Sequence, residues 1–187
     1  MIDGGSDESG RTESGATPDN AVLLRPMRES DLGAVLALNN SWVPEVSEVD
    51  RDRLVSIVGW ASLATVATDV EGRLLGVVIV VPPGTDYDSP NYERFCATTS
   101  GFRYVDRIIV DTMSHRGGVG RRLYEAVFEH AESEGATTVT CEVNVDPPNP
   151  ASTAFHGSLG FVEVGRQSNY DGAVTVAFMS APLTARG

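Results

Sequence analysis

Short apolar runs alternate with polar breaks along this chain, and the period of each run sets the element expected there. Tyr104 to Val110, reading YVDRIIV, is apolar and β-branched, as a buried strand requires. A polar loop and three glycines, Gly117, Gly118 and Gly120, follow it. From Gly118 to about Glu134 the apolar residues recur at helical spacing. Upstream, Ala21 to Arg25 reads as a strand stopped by Pro26, and Ser30 or Asp31 caps a helix running through Asn39. Asn39 to Pro44 breaks that helix, and Asp50 to Trp60 has the cap and period of a second one. Ser62 to Thr68 and Leu74 to Val81 flank Asp69 to Arg73, a hairpin with Gly72 in its turn. Pro82 to Gly101 reads as one long irregular loop, and Phe102 to Val110 as the full extent of the strand above.

The pattern continues with a strand from Thr137 to Val145. Asn149 as N-cap and Pro150 at the first helical position start a short helix. Gly160 ends it, and strands Phe161 to Arg166 and Ala173 to Ser180 close the fold around a turn at Tyr170 to Gly172. The expected order is β-α-α-β-β-β-α-β-α-β-β, an α/β domain with a central mixed sheet. Met1 to Asn20 is rich in Gly, Ser, Thr, Asp and Glu. It cannot bury enough apolar surface to offset ordering and is read as a disordered tail, leaving 21–187 as one domain.

Composition narrows the function classes. The 187 residues suit one full core, and no apolar run reaches the roughly 18 residues of a membrane span. No secretory leader pattern is seen, and Cys96 and Cys141 lie far apart, so a reducing cytoplasm is the expected setting. Cys141 falls in an apolar run and reads as a buried core thiol. The net charge of −12 argues against a nucleic-acid partner. There is no lysine, so all 14 basic residues are arginines.

Strand, glycine loop and helix start together form an anion cradle. Residues lacking Cβ let backbone N–H groups approach a phosphate, and the helix N-terminus adds partial positive charge. The spacing is neither GxGxxG nor the lysine-bearing P-loop. It is His115-x-x-Gly118-x-Gly120, which resembles the pyrophosphate loop of the GNAT acetyltransferases. A second segment, Asn149 to Phe161 with Phe155, His156, Leu159 and Gly160, resembles that family's other motif. The resemblance covers Ala21 to the C-terminus. It implies a single GNAT-type domain with a central mixed, mostly antiparallel twisted sheet of six to seven strands flanked by about four helices. It also implies acetyl-CoA as acyl donor and an amine acceptor, with no metal and no membrane partner, and it is compatible with a homodimer.

The resemblance further implies where each task would fall. Gly117, Gly118, Val119, Gly120 and Arg121 would present N–H groups to the CoA pyrophosphate. His115, Arg116, Arg121 and Arg122 would add donors or charge, and Asn149, Ser152 and Phe155 would continue that wall. Ile108, Ile109 and Val110 would offer backbone N–H groups to the thioester carbonyl. Asn39, Asn40, Trp42, Tyr87 and Tyr92 are the acceptor-side candidates. Asp106 is the expected base, with an ion pair to Arg103 or Arg107 as the alternative, and Glu142 and Asn144 are weaker candidates. By period-two alternation Asp106 should share a face with Tyr104, Ile108 and Val110. His156 stands where the family commonly has a tyrosine acid, and imidazole can fill that role.

Overall fold

The structure is a computed structural model that describes residues 21–114, 117–169 and 172–183. The expected N-terminal tail, His115, Arg116 and Tyr170 lie outside the described residues. Seven strands form one sheet: β1 (Leu23–Pro26), β2 (Leu63–Thr68), β3 (Leu74–Val81), β4 (Phe102–Val110), β5 (Thr138–Asp146), β6 (Val162–Asn169) and β7 (Val174–Pro182). Their order across the sheet is β1-β2-β3-β4-β5-β7-β6. All neighbours are antiparallel except β4 and β5, which run parallel. Five α-helices flank it: α1 (Leu32–Asn40), α2 (Arg51–Trp60), α3 (Pro90–Thr98), α4 (Val119–Ser133) and α5 (Pro150–Ser158).

The sheet separates two apolar layers. On one face Leu123, Val127 and Phe128 of α4 pack with Leu159 and Phe161 over Val78, Val105 and Val139. On the other, Val35, Leu54 and Ile57 of α1 and α2 and Phe95 of α3 cover Val77, Ile79 and Tyr104. Local chemistry sets the helix ends. Asp50 accepts from the Arg53 N–H at 2.7 Å and Asn149 from the Ser152 N–H at 3.0 Å, both as expected of N-caps. Asp31 gives α1 no side-chain cap; it binds Arg25 at 2.6 and 2.8 Å and accepts from the Arg28 N–H in the turn before α1, tying the start of α1 to β1.

Two features depart from the expected pattern. The long loop contains helix α3, begun by Ser89 as N-cap and Pro90 at its first position. Tyr92 and Phe95 lie one turn apart on its inner face, both 2% exposed. Burying each ring is worth roughly 1.5–3 kcal/mol, which holds this short helix on the sheet. The second departure is in β4. Ile79 of β3 pairs with Arg107 while Val80 pairs with Val105, so Asp106 is an extra residue, a β-bulge. The alternation therefore changes phase. Tyr104, Arg107 and Ile109 point to the α1–α3 side, whereas Val105, Ile108 and Val110 point to the α4 side. Asp106 shares a face with Tyr104, but not with Ile108 and Val110.

Candidate active site

Strands β4 and β5 are paired only from Phe102 opposite Thr138 to Tyr104 opposite Thr140. Beyond that point they part, while β5 stays paired with β7 along its whole length. The gap opens a cleft of about 860 Å³ that runs from the start of α4 to the loop after α1. Val105 to Val110 form one wall and Cys141 to Asn144 the other. A sheet that parts in its middle leaves backbone donors and acceptors free for a ligand, since buried amides need partners.

At one end stand Gly118, Gly120 and Arg121 with Asn149, Ser152 and Phe155 of α5. Gly118 is the N-cap of α4 with φ +73°, the left-handed region where a side chain would be strained. Gly120 serves packing: a Cβ there would stand 3.0 Å from the Phe155 ring. The glycines thus bring the N-terminus of a 15-residue helix bare to the cleft, which fits an anionic ligand. Arg121 lines this end. Arg122 does not; its guanidinium donates to the Val22 carbonyl and anchors β1. Gly117 and Val119 also lie outside the lining, Val119 being 1% exposed in the core.

At the other end the lining comes from Trp42 and Pro44 to Val49, from Tyr87, and from Asn91 at the start of α3. Asn39, Asn40 and Tyr92 stand behind this surface, which corrects their expected role. Asn39 is fully buried; its side chain donates to the Asn40 side chain and the Ser47 carbonyl and accepts from Arg107 at 2.6 Å. Asn40 donates to the Val49 carbonyl at 2.9 Å and accepts from the Val49 N–H. Tyr92 donates to the Pro82 carbonyl at 2.9 Å inside the core. The resemblance places the asparagines at the acceptor because the segment after the first helix overhangs that site in the family; here they fold the loop that lines the cleft.

Of the carboxylates lining the cleft, Asp106 and Glu142 stand on its two strand walls. Asp106 accepts from Arg107 Nε at 2.6 Å and from the Tyr87 hydroxyl, and its ion pair with Arg107 is 4% exposed on both sides. Burial, together with the negative charge of Asp106, pushes the Tyr87 phenol far above its usual range. Glu142, on β5, makes no ion pair among the described residues, although the Arg107 charge lies near enough to act on it. Its Oε1 accepts from the Tyr104 hydroxyl at 2.9 Å and from Asn91 Nδ2 at 3.1 Å. Its Oε2 is buried with no hydrogen-bond partner. Burial raises this carboxyl to about 7, with the nearby Asp106 charge adding to the shift. A carboxyl poised near neutrality beside an open site is suited to proton transfer.

His156 lies deeper in the same wall, 4% exposed. Its Nδ1 is 2.8 Å from the Ser152 carbonyl, which can only accept, so Nδ1 carries the proton of the neutral ring. Nε2 then accepts from the Tyr124 hydroxyl at 2.7 Å. Burial lowers the His156 pKa and raises that of Tyr124 well above normal. The neutral imidazole has no N–H to spare for a ligand; Tyr124, which also lines the cleft, is its route outward. Tyr124 was not legible as a site residue, because in sequence it is one more apolar position of α4. Cys141 is 3% exposed and burial raises its thiol pKa, so it is inert.

The comparisons agree with this architecture. The acetyltransferase (GNAT) family matches residues 35–161 of the chain. A [ribosomal protein bS18]-alanine N-acetyltransferase of Escherichia coli (strain K12) is 35% identical over 81 residues, which is 41% of this chain and 53% of that protein. The chain thus matches about half the length of that curated relative. Among solved structures, Ard1 from Thermoplasma volcanium superposes with a TM-score of 0.71 at 16% identity, over 87% of this chain and 97% of that one. The ribosomal-protein-S18-alanine N-acetyltransferase from Escherichia coli gives 0.68 at 22% identity, over 87% and 94%. A putative acetyltransferase from Salmonella typhimurium, solved with its cofactor acetyl-CoA, gives 0.65 at 17% identity, over 87% and 94%. At these identities the structural likenesses speak for the fold.

Proposed function

The chain belongs to the GNAT acetyltransferase family, and from that premise we propose that it is an acetyl-CoA-dependent N-acetyltransferase acting on a small amine or a protein amine by direct attack. The observation that carries the reading is Glu142: a buried carboxyl near neutral pKa, one oxygen free, in a cleft that continues to a bare helix N-terminus. The N–H groups at the start of α4 and the Arg121 guanidinium would hold the CoA phosphates. Acetyl-CoA supplies the acetyl group and leaves a thiolate that needs a proton.

Glu142 takes the proton of the acceptor ammonium, which frees the nitrogen lone pair. Asp106, the base expected from sequence, is held in an ion pair and instead orients the wall around Tyr87. The Tyr124 hydroxyl, held by the neutral His156, keeps a proton at the phenol oxygen for the thiolate that acetyl transfer leaves, and solvent restores that proton afterwards. The acceptor enters past Glu45 and Glu48, which suits a cation. Direct attack, rather than relay through an acyl-cysteine, follows from the buried, unactivated Cys141.

The test is the release of free thiol from acetyl-CoA across a panel of amines. Turnover with at least one primary amine, lost in Glu142→Gln, is the expected result. CoA binding without turnover for any amine would favour a sensor or interaction domain. Faster turnover with longer acyl-CoA donors would favour a different acyl transferase.

A further inference from the structure

Helix α3 lies over the splayed strands at the acceptor end, and one residue of its first turn touches the carboxyl that the reading above makes the base. Asn91 Nδ2 donates to Glu142 Oε1 at 3.1 Å, while Asn91 Oδ1 accepts from Asn169 Nδ2 at 2.9 Å. Asn169 ends the edge strand β6, and Gln167 Nε2 donates to its Oδ1 at 2.8 Å. The chain Gln167, Asn169, Asn91, Glu142 and Tyr104 therefore spans the cleft from β6 through α3 to β5 and β4. Each amide is fixed in its flip by the next: an Asn91 that accepts from Asn169 must turn its NH2 to Glu142.

We propose that Asn91 is a positioning residue for the acetyl-transfer step, holding Glu142 Oε1 so that Oε2 alone faces the acceptor ammonium. This inference rests on Glu142 being the base. Two features support it. The two donors on Oε1, Tyr104 and Asn91, are neutral, so they orient the carboxylate without the charge that would make it a weak base. And Oε2 has no partner among the described groups, although it is buried, as an oxygen reserved for a ligand would be.

The pH dependence follows from the same contacts. The groups facing Glu142 are Tyr104, Asp106 and Arg107 of β4, Tyr87 before α3, Asn91 of α3, Tyr124 of α4, and Cys141 on its own strand. Of these, Tyr104 and Asn91 donate to the ionised form and, with the Arg107 charge, hold its pKa down against burial. Removing the Asn91 donor should raise that pKa, by about half to one unit for one neutral hydrogen bond.

The experiment is the pH profile of kcat/KM for wild type, Asn91→Leu, Asn91→Gln, Asn169→Leu and Glu142→Gln, with the carboxyl titration followed by NMR of glutamate-labelled protein. The wild-type acidic limb should lie near neutrality and vanish in Glu142→Gln. In Asn91→Leu the limb and the assigned carboxyl resonance should both move to higher pH by about half to one unit. Asn169→Leu should move them the same way by less, and Asn91→Gln should partly restore them. A limb that vanishes in Glu142→Gln but stays in place in folded Asn91→Leu would overturn the positioning role and leave Glu142 as base. A wild type with no such limb, or one that persists in Glu142→Gln, would instead remove the reading on which the inference rests.

Discussion

Asp106 and Glu142 face one cleft from the two strands whose parting creates it, and they differ in what their neighbours supply. On β4 the bulge turns Asp106 and Arg107 to the same side, and the carboxylate meets a guanidinium at 2.6 Å. On β5 Glu142 is hydrogen-bonded by a phenol and an amide. Both are out of bulk water, so burial alone does not separate them. The partner does: Asp106 is bound to a guanidinium, whereas the Glu142 carboxyl, raised by burial, is hydrogen-bonded only by neutral donors and can carry a proton. Proximity to the cleft therefore does not identify a base; the neighbour inventory does.

The sharpest way to break this contrast is to neutralise each carboxylate in turn. Glu142→Gln should lower kcat/KM by on the order of a hundred- to ten-thousandfold, with CoA affinity by calorimetry essentially unchanged. Asp106→Asn should act mainly on stability, by about 3–5 kcal/mol, because Arg107 would be left buried and unpaired. Urea unfolding reads that loss, and adding Arg107→Met should recover part of it. Full turnover in Glu142→Gln together with none in folded Asp106→Asn would reverse the assignment.

A smaller effect tests the same contrast without substrate. The folded-state pKa of Glu142 is raised to about 7, so the folded protein binds its proton more tightly than the unfolded chain. The stabilisation from that proton is present below the unfolded carboxyl pKa and is lost as pH rises through the folded one. Glu142→Gln should thus flatten the stability profile between about pH 4.5 and 7. Above pH 8 it should be more stable than wild type by on the order of 2–3 kcal/mol, measured by urea unfolding at several pH values. Smallest is Gly118→Ala, which should cost about 1 kcal/mol through its positive φ and weaken CoA binding several-fold, as calorimetry would show.

Much of the frame was readable in advance. The hairpin around Gly72, the caps at Asp50 and Asn149, and the glycine at the start of α4 carry their signals within a few residues. Helix α3 is marked only by local signals, Ser89 and Pro90 at its start and the pair Tyr92 and Phe95 on its inner face. Nine residues bordered by proline and glycine give too short a period to stand out. Glu142, the base proposed above, stands behind Asp106 in the sequence for a related reason. What sets Glu142 apart is that its direct hydrogen-bond donors are neutral, Tyr104 and Asn91, while the guanidinium of Arg107 is bound to Asp106, and this depends on how α3 and the β4 bulge lie in space. Strict alternation along β4 could not show the bulge, since one inserted residue shifts every later side chain.

The paired asparagines at the end of α1 carry one more consequence, for how such an enzyme could change its diet. Asn39 and Asn40 grip the chain at Ser47 and Val49, and Asn39 is itself held by the buried Arg107. The exposed stretch from Val43 to Pro44 and Glu45 projects from that grip over the mouth of the cleft. Its ends are fixed by the frame, and its tip contributes little to the core. Descendants of this gene can therefore rewrite the tip to suit a new acceptor while inheriting the proton-transfer apparatus intact, and a laboratory library confined to those few positions would sample acceptor choice with few unfolded members.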